Sequence, residues 1–355
     1  MKEKRKNKVL MSGNEAMGLG AFTAGCRFYA GYPITPQNEL TAYMASCMRL
    51  PGRTFVQAES ELAAINMVFG ASAAGFRTMT SSSSPGISLK QEGISYLAGA
   101  QLPAVIINVS RGGPGLGNIA SSQSDYFQST RGGGHGDYFT PVLSPWSVEE
   151  AFNLVILAFD MADFYRTPIL VLADAIIGQM MEPINLNRKP LIRNRKPKRW
   201  SLTGAKNRPP NIVKSFFLQE GLLEEHNLLL EKKWQKIKLR EQRSSIYGKK
   251  KVDCLIVAYG SQARIARQAV DVLSCQGIKA GLFRPITLWP YPDKALKKAA
   301  SLARKIVVVE QSLGQMVEDV KLALPNKEIN FLGKTGGGIP SSLEIVKFVK
   351  KLTKN

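Results

Sequence analysis

Short apolar runs alternate with longer, alanine-rich stretches over residues 9–187, a pattern that favours a sheet covered by helices on both faces. The runs are short and continuous, as expected for buried parallel strands. Strands are predicted at Phe28–Ala30, Thr54–Gln57, Arg77–Thr80, Ala104–Val109 and Pro168–Ala173. Helices are predicted at Gly13–Ala24, Asn38–Met48, Glu61–Ala73, Lys90–Gly99 and Val148–Arg166. We therefore expect an α/β domain over residues 1–187.

A second α/β series is predicted over residues 252–355, so the chain is expected to contain two α/β domains. Its strands are predicted at Cys254–Ala258, Lys279–Phe283 and Lys305–Val309, with a helix at Ala263–Cys275. Residues 188–251 are expected to form a basic linker and an amphipathic helical insert. Leucine and aromatic residues recur among Glu and Lys over residues 215–246, which predicts one or two connecting helices.

No segment predicts export or insertion into a membrane. Apolar runs stay below the roughly 18 uninterrupted residues that a spanning helix needs. A membrane-surface helix is the alternative for the insert, but acidic residues such as Glu224 and Glu225 would face an anionic surface. The basic start resembles that of a signal peptide, but Asn14 and Glu15 interrupt the apolar stretch that should follow. We expect a cytoplasmic location and no membrane partner.

The net charge of +21 on 355 residues is distributed unevenly. Residues 9–187 carry eight basic and thirteen acidic side chains, so the excess lies in the first eight residues and in the second half. The stretch from Arg188 to Arg208 holds nine Lys or Arg residues, no acidic residue and interleaved prolines, as an exposed linker would. A nucleic-acid-binding protein would explain the basic half but not the polar loops of an acidic first domain. We expect no nucleic-acid partner.

The cysteine and histidine content disfavours a metal centre within this chain. The four cysteines are separated by 21, 207 and 21 positions and form no C-x-x-C pair. This spacing argues against an iron–sulfur cluster, a structural zinc or a disulfide framework, and favours reduced, mostly buried thiols. The two histidines, His135 and His226, lie far apart in the sequence. We expect His135 to be structural and no metal site to be present.

Polar segments follow the predicted strands at the edge where α/β sheets bind ligands. Tyr32, Pro33, Ile34, Thr35 and Pro36 follow the first strand, and the two prolines restrict the backbone around the Thr35 hydroxyl. Thr35 is therefore a candidate for contact with a substrate. The alternative is that Thr35, or Gln37 beyond it, caps the next helix.

Two carboxylates, Glu59 and Glu61, precede an apolar helix. The helix dipole favours a carboxylate in the first turn, so one of them has a structural explanation. Glu61 leads directly into Leu62, Ala63 and Ala64, a buried-looking stretch where a carboxylate needs a partner. A ligand nitrogen is a candidate for that partner.

Hydroxyl groups and glycines follow two further strands. The run from Thr80 to Gly86, which includes Ser84, is expected to line a polar site, with a flexible serine linker as the alternative. Arg111 precedes several glycines and is suited to binding a carboxylate through two hydrogen bonds. These glycines match neither G-x-G-x-x-G nor a Walker A loop, so a nucleotide-phosphate site is not expected.

These segments together resemble the α subunit of 2-oxoacid:ferredoxin oxidoreductases, most closely the branched-chain type that acts on 3-methyl-2-oxobutanoate. The resemblance covers residues 8–187 and 252–355. It is carried by GNEAMGLGAFTAGCRFYAGYPITPQNE, QAESELAAINMVFGASAAG, TSSSSPGISLKQEGISYLAGA, RGGPGLGNIASSQSDYFQSTRGGGHGD, FRPITLWPYP and VVVEQSLGQM. A 2-oxoglutarate enzyme of the same family and, more remotely, a transketolase-like transferase are the alternatives.

The resemblance implies a domain that binds the pyrimidine of thiamine diphosphate, followed by a transketolase-C-terminal-like domain. It implies that the isolated chain is inactive and that coenzyme A is a co-substrate. A β subunit would bind the diphosphate and its magnesium, because the family's G-D-G signature is missing here. The γ subunit and a ferredoxin-like δ subunit would complete the enzyme, with iron–sulfur clusters on partner subunits only and ferredoxin as electron acceptor.

The resemblance also assigns roles to individual residues. Glu61 is implied to contact the pyrimidine ring, Thr35 to lie near the substrate or coenzyme A, and Arg111 to bind the substrate carboxylate. The residues implied to line the cofactor, besides Glu61, are Tyr32, Pro33, Ile34 and Ser84.

Overall fold

The computed structural model describes residues 8–185, 197–249 and 251–353. The strands are β1 (Lys8–Ser12), β2 (Phe28–Gly31), β3 (Thr54–Gln57), β4 (Thr78–Ser82), β5 (Ala104–Ser110), β6 (Val142–Leu143), β7 (Pro168–Asp174), β8 (Met181–Asn185), β9 (Ser244–Gly248), β10 (Val252–Val257), β11 (Ala280–Pro285), β12 (Thr287–Trp289), β13 (Ala303–Glu310) and β14 (Ile329–Gly333). The helices are α1 (Gly13–Thr23), α2 (Asn38–Cys47), α3 (Glu61–Ala73), α4 (Ser84–Gly99), α5 (Tyr126–Thr130), α6 (Val148–Tyr165), α7 (Ala175–Gln179), α8 (Leu222–Arg240), α9 (Gly260–Cys275), α10 (Asp293–Ala300), α11 (Met316–Ala323) and α12 (Ser342–Thr353).

The first sheet has seven strands in the order β12-β6-β7-β5-β4-β2-β3. All neighbours from β6 to β3 are parallel, and every residue of β4, β5 and β7 is buried. Helix α1 packs against α2 and α6, and α3 packs against α4. β5 and β7 are largely apolar, as expected for strands buried on both faces, and so they appear in the sequence as continuous runs; β4 is equally buried but rich in hydroxyl residues. The predicted α/β class of this domain is confirmed.

The second sheet has five strands in the order β14-β13-β10-β11-β9. Four of them are parallel, and β9 is antiparallel to β11. Two strands, β9 and β12, pair with strands outside their own predicted region, which the local sequence pattern does not reveal. β9 lies within the predicted insert but extends the second sheet, and β12 follows β11 in sequence but pairs with β6 of the first sheet.

The insert contains one described helix, α8, which packs on the protein as the connecting-helix interpretation predicts. Leu230, Trp234 and Ile237 are spaced along one face of α8 and are buried. The Trp234 ring lies edge-on to Phe139 and Trp289, with ring centroids 6.4 and 6.2 Å away. Among the described helices, none combines the length and apolar character needed to cross a membrane.

The prediction of a helix at Lys90–Gly99 is wrong about its start, because α4 begins six residues earlier at Ser84. Pro85 occupies the first turn, where its fixed φ fits a helix and its missing N–H costs no hydrogen bond. The preceding hydroxyl residues are the end of β4, up to Ser82, and the N-cap residue of α4, Ser83; Thr80 through Ser84 are all buried. The flexible-linker alternative for this run is therefore wrong as well.

Much of the predicted basic linker, Arg188 to Lys196, lies outside the described residues, as do Met1 to Asn7. Beyond that gap, Lys198 pairs with Asp163 at the end of α6 at 2.7 Å. The four cysteines are all free thiols. Cys26 and Cys254 are buried, and burial raises the pKa of each thiol to about 12.

Candidate active site

The strand order brings the predicted polar segments together. β3, β2, β4 and β5 are neighbouring parallel strands, so their carboxyl ends share one edge of the first sheet. Glu61 follows β3, Thr35 follows β2, Ser84 follows β4 and Arg111 follows β5. Four residues that are far apart in sequence are thereby positioned along one edge, where open α/β sheets bind ligands.

Glu61 is the first residue of α3 and is only 5% exposed. The Ser60 side chain caps the helix by accepting from the backbone N–H of Ala63 at 3.1 Å. This cap leaves the Glu61 carboxylate free for other contacts, and its Oε1 accepts from the Ser82 hydroxyl at 3.3 Å. Its Oε2 takes no hydrogen bond from the residues that the structure describes. Glu59 is exposed, so Glu61 is the buried member of the two predicted carboxylates.

Gly86 forms the wall opposite the Glu61 carboxylate. A Cβ built on Gly86 would lie 2.3 Å from Glu61 Oε1 and 2.0 Å from Ser82 Oγ. Real Cβ atoms do not approach so closely, so a glycine is required for α4 to pack against the carboxylate. The absence of a side chain here leaves the carboxylate bordered by backbone.

Arg111 connects two of the loops at this edge and is 9% exposed. Its Nη1 donates to the carbonyl of Thr35 at 2.9 Å, and its Nη2 donates to the carbonyl of Leu116 at 3.2 Å. Its Nε is buried and has no hydrogen-bond partner among the described residues. A buried donor without a partner is costly, which makes Nε a candidate contact for a ligand oxygen.

Thr35 lies beside Arg111 but does not cap the next helix. Gln37 occupies the N-cap position of α2, but its side-chain oxygen forms no capping hydrogen bond. It accepts instead from the Ser81 hydroxyl at 2.6 Å, which anchors the loop to β4. The Thr35 hydroxyl accepts from the Asn38 side chain at 3.3 Å. Gln37 is therefore the N-cap residue, as the alternative interpretation allowed, but neither Thr35 nor Gln37 supplies a side-chain capping hydrogen bond.

Ser84 contacts the Arg111 segment rather than lying open at the edge. Its hydroxyl donates to Asp125 Oδ2 at 2.6 Å and accepts from the Arg111 backbone N–H at 2.9 Å. The Asn108 side chain also donates to Asp125, at 2.8 Å. Burial raises the pKa of the Asp125 carboxyl, although these hydrogen bonds act in the opposite direction. Ser84 therefore fixes the position of the Arg111 backbone.

The loop after Arg111 is held by the second domain. The Ser121 hydroxyl donates to Gln311 Oε1 at 2.9 Å, and Gln123 exchanges hydrogen bonds with the Gln311 backbone at 2.9 and 3.0 Å. The Tyr126 hydroxyl donates to Asp319 at 2.5 Å. The second domain thus positions the segment that carries the arginine.

The remaining predicted residues lie at the outer rim of the edge or away from it. Tyr32 and Pro33 are exposed, and Ile34 is half-buried. His135 lies in a separate cavity of about 660 Å³, whose lining includes His226 but neither Glu61 nor Arg111. The Ser95 hydroxyl donates to the His135 carbonyl at 2.7 Å, in agreement with a structural role for this loop.

Sequence reasoning missed three residues of this edge: Ser82, Asp125 and Lys90. Ser82 and Asp125 lie within polar runs of the sequence, but neither residue was distinguished from its neighbours as a site residue. Lys90 is fully buried, although lysine is usually a surface residue. An available signal was its position four residues after Gly86, on the same face of α4.

Comparison with known proteins identifies this arrangement. The family described as pyruvate flavodoxin/ferredoxin oxidoreductase, thiamine diphosphate-binding, matches residues 19–241, and the core domain II of pyruvate:ferredoxin oxidoreductase matches residues 252–345. The chain belongs to the 2-oxoacid:ferredoxin oxidoreductase family. The first match covers the edge that carries Glu61, Thr35 and Arg111.

Individual members of this family and a more distant fold agree with the assignment. A ketoisovalerate oxidoreductase subunit from Methanothermobacter marburgensis is 45% identical over 97% of this chain and 97% of its own length. The 2-oxoglutarate:ferredoxin oxidoreductase from Magnetococcus marinus has a TM-score of 0.88 and 28% identity; the match covers 99% of this chain and 66% of that chain. A split-gene transketolase, 14% identical, shares the fold alone with a TM-score of 0.60, covering 96% of this chain and 97% of its own. The predicted pairing of a thiamine diphosphate-type domain with a transketolase-like second domain is confirmed.

Proposed function

We propose that this chain is the α subunit of a branched-chain 2-oxoacid:ferredoxin oxidoreductase. The enzyme would convert 3-methyl-2-oxobutanoate and coenzyme A to the acyl-coenzyme A, carbon dioxide and reduced ferredoxin. The observation that carries the proposal is the buried Glu61 carboxylate, with one oxygen open, at the edge of a thiamine diphosphate-type domain. The 45% identity to a ketoisovalerate oxidoreductase subunit supports the choice of substrate.

The residues around Glu61 fit the aminopyrimidine of thiamine diphosphate. When bound, this cofactor supplies an acidic C2 position and an electron sink for decarboxylation. Glu61 Oε2 is available to a ring nitrogen, while Ser82 fixes Oε1. Gly86 lets α4 pack directly against Oε1 and the Ser82 hydroxyl, which fixes the carboxylate with Oε2 turned away from this contact. Glu61 would then hold the proton that is exchanged with the ring, the acid–base role of this chain.

Arg111 and Thr35 would face the substrate. The Arg111 Nε, buried without a partner among the described residues, would donate to the carboxylate of the 2-oxo acid. Because Arg111 Nη1 donates a hydrogen bond to the Thr35 carbonyl, the same guanidinium would fix the position of Thr35 relative to the bound 2-oxo acid. Thr35 would thus contact the substrate or coenzyme A.

Partner subunits would complete the site. Exposed apolar side chains surround the polar edge, and a cluster of this kind is typical of a surface that another protein covers. They are Tyr32, Leu62, Leu89, Leu116 and Ile119. We assign to this surface a β subunit that binds the diphosphate and its magnesium, with γ and ferredoxin-like δ subunits carrying the iron–sulfur clusters. The free thiols favour a reducing compartment, the cytoplasm.

The isolated chain is expected to show no turnover of any 2-oxo acid, because it supplies only half of the cofactor site. The reconstituted complex is expected to have a higher kcat/KM for 3-methyl-2-oxobutanoate than for 2-oxoglutarate, the substrate of the Magnetococcus marinus enzyme. Both expectations are checked by measuring ferredoxin reduction, first by the isolated chain and then by the reconstituted complex. Activity of the pure chain would refute the shared site, and a preference for 2-oxoglutarate would refute the substrate assignment alone.

Substitution of Gly86 by alanine tests the space beside Glu61. The added methyl group would collide with Glu61 Oε1 and Ser82 Oγ, so the carboxylate must move. Overpacking of this kind costs about 1–3 kcal/mol, and we expect thiamine diphosphate affinity to fall roughly 5- to 150-fold in the assembled complex. Calorimetric titration with thiamine diphosphate and magnesium measures the change.

Gly70 provides the matched control because it lies on α3 and a Cβ built there meets no atom within 4 Å. Gly70→Ala should therefore bind the cofactor as tightly as the wild-type complex. Equal affinity of the Gly86→Ala and Gly70→Ala complexes would show that cofactor binding does not depend on the position of the Glu61 carboxylate.

A further inference from the structure

Asn14 is a fully buried amide in the first turn of α1, and its side chain contacts the loop that carries Thr35. Its Nδ2 donates to the carbonyl of Pro36 at 2.8 Å and to Oε2 of Glu39, on α2, at 2.7 Å. Both partners are hydrogen-bond acceptors, so the amide nitrogen and not the amide oxygen must face them. Asn14 therefore joins α1 to this loop and to the first turn of α2.

Close packing of α1 against α7 encloses the Asn14 side chain. A Cβ built on Gly13 would lie 1.8 Å from the carbonyl oxygen of Ile177, and a Cβ built on Gly178 would lie 2.9 Å from Asn14 Oδ1. Glycine at these two positions allows the helices to approach this closely. The amide is thereby confined between α7 and the loop.

Helix α1 does not depend on the Asn14 amide for its capping. The Ser12 hydroxyl accepts from the backbone N–H of Glu15 at 3.2 Å, and the Glu15 carboxylate accepts from the backbone N–H of Ser12 at 2.8 Å. This capping box satisfies the start of the helix. Asn14 Oδ1 is also buried without a partner among the described residues, which costs stability. The buried amide is therefore better explained by the group that its nitrogen holds.

Two successive carbonyls of the loop are held by side chains from two other elements. Arg111, which follows β5, donates to the Thr35 carbonyl at 2.9 Å, and Asn14 donates to the Pro36 carbonyl at 2.8 Å. The Thr35 hydroxyl, in contrast, contacts only the exposed Asn38 side chain among the described residues, at 3.3 Å. The two hydrogen bonds fix the backbone around Thr35 and leave its hydroxyl at the edge of the sheet.

We propose that Asn14 is a positioning residue, which holds Pro36 so that the Thr35 hydroxyl meets the substrate or coenzyme A in a fixed orientation. This inference rests on the proposed function. Asn14 touches neither reactant and acts through the loop backbone. Glu61 follows a different strand, β3, so the effect should fall on the reactant that Thr35 contacts and not on the thiamine cofactor.

The test compares Asn14→Ala, Thr35→Val and the double variant in the reconstituted complex. Steady-state kinetics give the KM for the 2-oxo acid and for coenzyme A, and calorimetry with magnesium present gives the thiamine diphosphate affinity. Loss of a neutral hydrogen bond changes an equilibrium constant about 2- to 10-fold, so Asn14→Ala should raise by this factor the same KM that Thr35→Val raises. Cofactor affinity should not change. The double variant should resemble Thr35→Val, because both residues act through one hydroxyl.

Asn153→Ala is the matched control. Asn153 is half-buried on α6, and its side chain also donates to a backbone carbonyl, that of Glu149 at 2.8 Å, within its own helix. This variant should keep both wild-type KM values. Thermal unfolding of each complex verifies that the variants fold and assemble.

Hydrogen exchange of the full-length chain tests the contact itself, whatever reaction the complex catalyses. The Gln37 amide, which donates to the Ile34 carbonyl at 3.1 Å within the loop, should exchange faster in Asn14→Ala than in the wild-type chain. Unchanged exchange would overturn the inference, because the loop would not depend on Asn14.

The kinetic results can also overturn the inference. Faster loop exchange with both KM values unchanged, or a KM rise in the double variant equal to the product of the two single effects, would make Asn14 a structural residue only. An equal loss of cofactor affinity would do the same. Failure of the proposed function gives a different result, since Glu61→Gln would then leave C2 exchange unchanged while loop exchange in Asn14→Ala would still rise.

Discussion

Glu61→Gln is expected to slow deuterium exchange at thiamine C2 by about 10²- to 10⁴-fold in the reconstituted complex, the usual loss for a missing acid–base group. Glutamine keeps the size of the side chain and can still accept from the Ser82 hydroxyl. It cannot exchange a proton with the pyrimidine ring, so folding and assembly should survive while activation of the cofactor fails. NMR after a rapid acid quench follows the exchange separately from electron transfer.

Glu59→Gln is the control for this experiment. Glu59 lies two residues earlier and is exposed, whereas Glu61 is 5% exposed. We expect Glu59→Gln to exchange nearly as fast as the wild-type complex. A slow Glu59→Gln complex combined with a normal Glu61→Gln complex would move the acid–base role to Glu59. Normal exchange in both would show that neither carboxylate activates the cofactor.

Arg111→Lys is expected to raise the KM for the 2-oxo acid by roughly 10- to 100-fold, because a hydrogen bond to a charged group contributes about 1.5–3 kcal/mol. The guanidinium donates to the carbonyls of Thr35 and Leu116 through two nitrogens, and Nε, which has no partner among the described residues, would donate to the substrate in the proposed site. A lysine ammonium cannot reproduce this planar arrangement. Steady-state kinetics with varied 2-oxo acid give the KM, and calorimetry should show little change in thiamine diphosphate affinity.

Arg131→Lys is the control, because it separates the rise in KM expected for Arg111→Lys from a general effect of replacing an arginine by lysine. Arg131 is exposed and pairs with Asp319 at 3.0 Å, away from the polar edge. Its replacement should leave the KM unchanged. An unchanged KM in Arg111→Lys would remove Arg111 from the substrate site, and a parallel loss of cofactor affinity would assign it to the cofactor instead.

The sequence predicted the α/β class and the edge of the sheet because both depend on local patterns. β5 and β7 are buried on both faces, so they appear as apolar runs, and the polar residues that follow such runs mark the carboxyl ends of parallel strands. Glu61 and Arg111 could be found in this way. Their positions follow from the end of a strand and the start of the next segment.

Two features could not be predicted from local patterns: the pairing of strands from distant parts of the chain and the burial of polar side chains. β12 is three residues long and joins the first sheet from the second half of the chain, which depends on the assembled fold rather than on its own sequence. The hydroxyl run before α4 was expected to line a polar site, but Ser81 and Ser84 are buried, and their hydroxyls are satisfied by Gln37 and Asp125. Lys90 was missed because its partner, Glu61, lies on another helix.

The most direct test of the shared cofactor site is an experimental structure of the assembled complex with thiamine diphosphate and magnesium bound. We expect the pyrimidine ring beside Glu61, with a ring nitrogen within hydrogen-bond distance of its carboxylate, and the diphosphate and magnesium bound by a different subunit. A cofactor bound wholly within another subunit, or a pyrimidine ring remote from Glu61, would contradict it.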